Sequence, residues 1–329
     1  MATTVNGAFS EFMKDVVNLN PDKTSTARTS RDNLIDNLNK FSGNDDFFVV
    51  YPERNLKFGS FARRTKIREL DDIDLMLCLS AESTRTYNES TECIYIKGND
   101  SDKKNGLMSE GTNNLNSTKV INRLISKLAN LNDYSKAEMH KNQEAATLKM
   151  KSYTWNFDII PCFYTTNDFY LIPDGSGNWK KTDPRIDSNR TTTVNQKHDG
   201  KLLELIRLMK YWNKRKVTVT MGSYLLESMI LSIYDGKETK ENWWIDLEFK
   251  SLLKELSSAI KNDVEDPKGI QGNLNSFTIE ERNKISDALA NAHSKACEAW
   301  AYEEEKKQKE AIGKWGEVLG DSFPKYSGN

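Results

Sequence analysis

The stretch from Asn55 to Leu79, NLKFGSFARRTKIRELDDIDLMLCL, carries the pattern that decides the fold and chemistry of this chain. Near its end, Asp72 and Asp74 stand one residue apart in an otherwise apolar run. Because side chains alternate between the two faces of a strand, the pattern predicts a β-strand with both carboxylates on one face and buried apolar side chains on the other. Two carboxylates about 7 Å apart on a rigid strand suit divalent cations, which take oxygen ligands.

A glycine and a serine, Gly59 and Ser60, form a polar turn ahead of this strand. Glycine lets the backbone approach a phosphate closely, and a turn offers N–H groups and a hydroxyl to bind it. The simpler interpretation is an ordinary turn in which Ser60 is the N-cap of a short helix. Because the carboxylates follow directly, we favour phosphate contact, and the whole stretch predicts metal-dependent nucleotidyl transfer.

A third carboxylate, Asp158, lies in a second apolar stretch, YTWNFDIIPCF, which we interpret as a strand that ends at Pro161. A lone acid in an apolar strand is costly unless it is paired or bound to metal. Three such acids on one sheet predict two bound ions, Mg²⁺ or Mn²⁺. One would lower the pKa of an attacking 3′-hydroxyl, and the other would stabilise the leaving pyrophosphate. The alternative is a set of solvated acids at strand ends.

The composition excludes several classes of protein. With 329 residues and a net charge of -1, the chain lacks the basic surface of a constitutive nucleic-acid binder, so no constitutive DNA binding is expected. No apolar run approaches membrane-spanning length, and the N-terminus has no signal pattern, so no membrane partner is expected. The four cysteines show no CxxC spacing, and the three histidines form no ligand cluster. These features indicate a cytoplasmic protein without structural zinc.

The order of elements predicts an α+β fold in two domains. A mixed α/β half, residues 1–198, precedes an all-helical half, residues 199–329, and Thr278 to Leu319 reads as one long charged helix. In the helical half, Lys210 lies in MKYWNKRK and Ser223 in GSYLLES. By residue type alone, Lys210 is a solvated surface lysine and Ser223 a helix cap.

Six short motifs, taken in their order along the chain, resemble those of the bacterial CD-NTases. These are cyclic GMP–AMP synthase-like and dinucleotide-cyclase-like (SMODS-type) nucleotidyltransferases of the polymerase-β superfamily, found in the anti-phage systems called CBASS. The resemblance runs from about Phe9 to Tyr326. It rests on the sequences GSFARRTKIRELDDIDL, FDIIPCF, LIPD, KYWN, SYLLES and AIGKWGEVLGDSFPKY.

The resemblance implies a polymerase-β-like nucleotidyltransferase lobe with a mixed β-sheet, a C-terminal helical lobe, an N-terminal helix that braces both, and an active site in the cleft between them. It implies that the catalytic, metal-binding residues are Asp72, Asp74 and Asp158. It also implies that nucleoside triphosphates, ATP being the expected one, contact Gly59, Ser60, Lys210 and Ser223. The product would be a cyclic di- or trinucleotide, and a CBASS accessory protein would be a partner. Base selectivity would involve Thr165, Thr166 and Asn167, whose simpler interpretation is a polar hairpin turn.

Two other functions fit the same residues. A linear, template-independent nucleotidyltransferase acting on RNA or another hydroxyl would use the same acids but need an acceptor groove. Such a groove could be lined by the basic residues Lys149, Lys151, Lys214, Arg215 and Lys216. A catalytically silent nucleotide-binding module would keep the fold without turnover. The Cys/His insertion of the animal DNA sensor is absent, so DNA activation by that route is not expected.

Overall fold

A computed structural model describes residues 2–41, 47–90, 93–216 and 219–328, with the side chain of Lys216 also outside the description. The chain divides into two compact units. The helical unit comprises Met1–Pro21, Arg64–Glu69 and Ile186–Asn329. The sheet unit comprises Asp22–Arg63 and Leu70–Arg185. The domain boundary at residue 198 stays a prediction.

The sheet unit is built on nine strands within the described residues. They are β1 (Leu56–Phe58), β2 (Asp72–Leu79), β3 (Thr86–Glu89), β4 (Ile94–Lys97), β5 (Glu138–Asn142), β6 (Ala145–Lys149), β7 (Asn156–Tyr164), β8 (Tyr170–Pro173) and β9 (Trp179–Thr182). Their order is β1-β2-β7-β8-β9-β4-β3, and β6 adds to β7 with β5 beside it. This mixed sheet confirms the predicted α+β class.

The two strands predicted from the acids, β2 and β7, run parallel and adjacent. As the alternation predicts, Ile73, Leu75 and Leu77 are buried on the face opposite the acids. Strand β7 does not end at Pro161 but continues to Tyr164. The proline is tolerated because the pairing of β7 with β6 ends at Ile159 and its pairing with β8 begins at Phe163, so no antiparallel partner pairs with Pro161 itself.

Eleven α-helices occur in the described residues. They are α1 (Val5–Phe12), α2 (Pro21–Asn39), α3 (Gly59–Ala62), α4 (Asp100–Lys104), α5 (Ser117–Ala129), α6 (Pro184–Lys197), α7 (Leu202–Lys216), α8 (Ser223–Asp235), α9 (Ile245–Ala259), α10 (Ile279–Glu304) and α11 (Gln308–Leu319). The single helix predicted from Thr278 to Leu319 is therefore wrong. The break follows α10 at Lys306, which has a left-handed φ of 62° that an α-helix cannot contain.

The helical unit packs around aromatic side chains from both ends of the chain. In α1, Phe9 meets Trp315 edge to face at 4.9 Å, and Phe12 meets Tyr211 in the same way at 5.0 Å. Such edge-to-face pairs add to the stabilisation that comes from burying the rings. Helix α1 is thereby fixed within the helical unit. Among the helices of the described ranges, none is both long and apolar enough to cross a bilayer.

Candidate active site

The register of β2 and β7 brings the three predicted acids together. Asp74 pairs directly with Asp158 on the neighbouring strand, and Asp72 lies two residues earlier on the same face as Asp74. Each offers a carboxylate oxygen, and these three oxygens all lie within 4.8 Å of one another. All three residues are half-buried. Clustered carboxylates repel one another unless cations lie between them, so this donor set fits the hard divalent cations that prefer oxygen ligands.

The backbone at Gly59 lies close against this carboxylate cluster. Strand β1 pairs antiparallel with β2 so that Phe58 lies opposite Asp74, and the chain then turns at Gly59 into helix α3. Gly59 has a φ of +73°, and a β-carbon there would stand 1.7 Å from Asp74 Oδ2. Two constraints therefore restrict this position to glycine. One is its left-handed backbone angle, and the other is its close contact with Asp74.

The serine that follows does not act as the predicted cap. Helix α3 begins at Gly59 with Phe58 as its N-cap, and the cap makes no side-chain hydrogen bond. Ser60 is thus the second residue of the helix rather than the residue before it. The prediction of an N-cap serine is wrong because the tight turn starts the helix one residue earlier. The prediction that Ser60 contacts a phosphate is separate from this and stays a prediction.

A threonine that the sequence analysis missed holds the third acid. Thr147 lies opposite Asp158 in the register of β6 and β7, and its hydroxyl donates a hydrogen bond of 2.6 Å to Asp158 Oδ1. Thr147 is buried. A hydroxyl that donates to a carboxylate oxygen fixes the orientation of that side chain. In the sequence, the polar Thr147 within the stretch AATLK is the feature that could have indicated this role. Its partner could not be predicted, because it depends on the strand register.

The apolar side chains beneath the acids form a compact cluster. It contains Met76, Cys78, Cys162, Tyr170 and Ile172. Both cysteines are buried free thiols and lie side by side in the register of β2 and β7. Burial raises the pKa of the Cys162 thiol well above its ordinary value, which keeps it protonated and unreactive. This packing supports the strand ends that carry the carboxylates.

In the helical unit, the predicted nucleotide-binding lysine is part of a buried ion pair. Lys210 Nζ lies 2.8 Å from Glu227 Oε1, and their side chains are 7% and 3% exposed. Thr65 also donates a hydrogen bond of 3.0 Å to the same oxygen. The surface-lysine interpretation is therefore excluded. A buried ammonium needs such partners because burying an unpaired charge is costly.

The predicted serine of the helical unit lies one turn from this pair. Ser223 and Glu227 are four residues apart in α8, so they share a face of the helix. Gly222 is the N-cap, and Ser223 is the exposed first residue of the helix. The start of α8 makes no side-chain cap hydrogen bond and has no acidic residue in its first turn. A helix start of this kind attracts anions, and the role of Lys210 and Ser223 in nucleotide binding stays a prediction.

Two other sets of predicted residues lie elsewhere. Thr165 and Thr166 follow the far end of β7, seven and eight residues beyond Asp158, and line a separate pocket. Of the basic residues considered for an acceptor groove, Lys149 lies 3.5 Å from Glu138 and Arg215 stacks over the Tyr211 ring. Lys151 and Lys214 are exposed, and the side chain of Lys216 lies outside the described residues.

Comparison with known proteins identifies the family. No protein-family model matches the chain. The solved structure of CdnC from E. coli MS115-1 with ATP covers 97% of this chain and 98% of its own, with a TM-score of 0.71 and 18% identity, which shows the shared fold. A Bacillus cereus (strain VD146) protein named probable cyclic nucleotide synthase is 42% identical over 337 residues and 99% of each chain. The chain belongs to the bacterial CD-NTase family.

Two further comparisons place this CD-NTase among its relatives. A protein of Acinetobacter sp. (strain ATCC 27244 / 9458) named cyclic AMP-AMP-AMP synthase is 24% identical over 209 residues, 59% of this chain and 58% of that protein. The structure of the CdnC:HORMA-deltaN complex covers 97% of this chain and 98% of its own at a TM-score of 0.70 and 18% identity. The predicted family, nucleotidyltransferase fold and enzyme class are confirmed.

Proposed function

We propose that this CD-NTase makes a cyclic di- or trinucleotide from ribonucleoside triphosphates and that the product is a second messenger in CBASS anti-phage signalling. The observation that supports the chemistry is the three carboxylate oxygens of Asp72, Asp74 and Asp158 within 4.8 Å of one another. ATP is the substrate we expect first, because one relative is named a cyclic AMP-AMP-AMP synthase and CdnC has been solved with ATP.

In each step, a ribose hydroxyl of one nucleotide attacks the α-phosphorus of another. A P–O bond forms there, the bond between the α- and β-phosphates breaks, and pyrophosphate leaves. A last attack within the linear product closes the ring. Divalent cations at the acids, Mg²⁺ or Mn²⁺, would lower the pKa of the attacking hydroxyl and offset the charge of the pyrophosphate.

The residues of the sheet unit divide this work. The three aspartates would hold the cations, and Thr147 keeps Asp158 oriented through its hydrogen bond. Gly59 leaves room for the Asp74 carboxylate, and its lack of a side chain would also let a phosphate approach the turn closely. The Ser60 hydroxyl and the N–H groups at the start of α3 would hold the triphosphate.

Two residues of the helical unit are also proposed to bind a nucleoside triphosphate. The Lys210 ammonium keeps donor capacity beyond its bond to Glu227, because an ammonium has three donors. The exposed start of α8 at Ser223 offers N–H groups to an anion. We propose that these two groups contact the donor triphosphate.

An accessory protein is part of this proposal. The structural relative CdnC is known in a complex with HORMA-deltaN, and its fold extends over nearly all of this chain. We propose that a partner of that kind binds this CD-NTase and regulates its synthesis of the messenger. The cytoplasm is the compartment in which we place the reaction.

The decisive experiment incubates the purified enzyme with all four ribonucleoside triphosphates and Mg²⁺, alone and with an accessory protein of the HORMA kind. Products are treated with phosphatase and identified by mass spectrometry, with the Asp72→Ala/Asp74→Ala enzyme as control. Phosphatase-resistant products absent from the control would support cyclisation and identify the bases. Linear products alone would favour the template-independent transferase, and products of equal yield in the control would contradict the role of the acids.

A further inference from the structure

A second pocket lies in the sheet unit at the other end of the strands that carry the acids. It has a volume of about 580 Å³, a size that suits a small organic ligand. Its floor is apolar and buried and consists of Leu79, Ile96, Phe163 and Leu171. Leu79 lies five residues beyond Asp74 on β2, about 16 Å along the strand. We call this second pocket the back pocket, and it is separate from the three carboxylates.

The wall formed by residues 80–86 is held in place by a buried arginine. Arg85 Nε and Nη2 donate to Asp102, and Arg85 Nη1 donates to the Ser80 carbonyl and to Glu82. The Arg85 side chain is 3% exposed and also stacks over Phe48. These contacts hold Glu82 and Ser83 at left-handed φ angles of 49° and 55°. Two consecutive non-glycine residues in this backbone conformation cost free energy. The conformation of this wall is therefore maintained by the contacts of Arg85.

The opposite wall is tied to the first by a tyrosine. Asn167 donates a hydrogen bond of 2.8 Å to the Tyr87 hydroxyl, and the Tyr87 ring lies edge to face with Phe169 at 5.8 Å. This contact joins β3 to the turn that holds Thr165 and Thr166. The pocket is thus preformed, so the protein loses little conformational entropy when a ligand binds.

The charges of the lining exclude a phosphorylated ligand. Its two charged residues, Glu82 and Arg85, are paired with each other at 2.7 Å, and Arg85 is also paired with Asp102. No cation of the lining remains for a phosphate, whose burial without one is costly. A triphosphate, the substrate of the acid site, does not fit here. The matching ligand carries no net charge.

The remaining polar groups point to a heteroaromatic ligand. The rim carries the hydroxyls of Ser83, Thr86 and Thr166, which make no hydrogen bond to any part of the protein that the structure describes. Beside them stand the rings of Tyr51, which is 39% exposed, and Tyr87. Aromatic faces stack on a base, and free hydroxyls pair with its donors and acceptors.

We propose that the back pocket binds an uncharged nucleobase or nucleoside, outside the site of nucleotidyl transfer. This binding depends on the lining of the pocket and not on the acids or on turnover. The polar residues after β7, Thr165 and Thr166, then serve this pocket rather than base selection at the carboxylates.

The test is a titration of leucine- and isoleucine-methyl-labelled enzyme with adenosine and, separately, guanosine, cytidine and uridine, followed by NMR. Signals are assigned by single conservative substitutions. We expect at least one nucleoside to shift the methyl signals of Leu79, Ile96 and Leu171 with a dissociation constant on the order of 0.1 mM. Shifts confined to Ile73 and Leu75, which flank Asp74, or no shifts with any nucleoside would overturn the proposal.

Matched variants on one strand face provide the control. Thr86 and Asn88 are both exposed and lie two residues apart on β3, but only Thr86 lines the pocket. Thr86→Trp should fill the pocket and weaken nucleoside binding at least about tenfold, whereas Asn88→Trp should leave binding unchanged. Equal affinity in both variants would contradict the site. Binding should persist in Asp74→Asn, so its loss there would also contradict it, and a failure of the synthase proposal would leave this result unaffected.

Discussion

Gly59 lies so close to Asp74 that a β-carbon on the glycine would stand 1.7 Å from Asp74 Oδ2. The contact follows from the β1–β2 register, which places Phe58 opposite Asp74 and makes the next residue turn over the carboxylate. Phosphate binding by itself would require only open space on the side of Gly59 that faces the phosphate. Gly59 is also required because the Asp74 side chain lies against it.

We predict that Gly59→Ala lowers turnover about a hundredfold, because it displaces the Asp74 carboxylate or distorts the turn. Steady-state kinetics with nucleoside triphosphates would measure this, with circular dichroism to check the fold. The matched control is Gly313→Ala in α11, where a β-carbon would meet no atom within 4 Å. That change should preserve turnover and slightly stabilise the helix. Equal activity of the two variants would contradict the contact.

The metal site predicts that substitutions of two nearby aspartates differ sharply in their effect on turnover. Asp74→Asn should lower turnover at least about a thousandfold while the thermal unfolding curve stays cooperative, because the cation site loses a charged ligand. Asp71→Asn is the control, since Asp71 is exposed and precedes the strand. Its turnover should stay near that of the unaltered enzyme. Full activity of Asp74→Asn at saturating Mg²⁺ would refute the assignment.

The hydrogen bond from Thr147 to Asp158 should affect cation affinity. Thr147→Val keeps the shape but removes the donor, and we expect Mn²⁺ to bind roughly ten- to a hundredfold more weakly to the nucleotide-free protein. Thr147→Ser keeps the hydroxyl and should retain most of the affinity. Titration with Mn²⁺ followed by electron paramagnetic resonance measures binding without turnover. Identical affinities for the valine and serine variants would show that the hydroxyl does not act on the site.

The buried pair of Lys210 and Glu227 allows stability and function to be separated. Glu227→Gln leaves a buried ammonium without its counter-charge and should destabilise the protein by roughly 3–5 kcal/mol. The double variant Lys210→Met/Glu227→Leu removes both charges and should recover most of that loss. Thermal unfolding tests this. If Lys210 contacts the triphosphate, the double variant regains stability but not its KM for nucleotide, whereas recovery of both would limit Lys210 to a structural role.

A carboxylate of the helical unit makes stability depend on pH. Burial raises the pKa of Asp266, but hydrogen bonds from Tyr224 and from the N–H groups of residues 268, 270 and 271 outweigh it and lower the pKa to about 2. Because the folded pKa lies below the ordinary value of 3.8, this group stabilises the fold above about pH 4 and stops doing so as pH falls to about 2.

Removing one of these donors tests this dependence. Tyr224→Phe should lower the urea midpoint at pH 5, and the difference from the unaltered protein should shrink as the pH falls from about 4 to 2. The measurement is a series of urea unfolding curves across that range. A difference that stays constant with pH would mean that Tyr224 stabilises the fold by packing alone.

The sequence by itself determined the strands, the catalytic candidates and the fold class. Alternation in DDIDLML places two acids on one face because the period of a strand is two residues, which holds in any tertiary context. The apolar stretch around Asp158 was identified as a strand for the same reason. The order of these motifs along the chain then indicated the family and hence the α+β nucleotidyltransferase fold.

Only the tertiary structure decided which residues face one another. The register of β6 against β7 pairs Thr147 with Asp158, and helix packing pairs Lys210 with Glu227 across seventeen residues. It also placed Thr165 and Thr166 at the far end of β7, away from the acids. Local sequence fixes the face on which a side chain lies, because that depends on backbone period. Its partner depends on register and packing, which arise from contacts between segments distant in the chain.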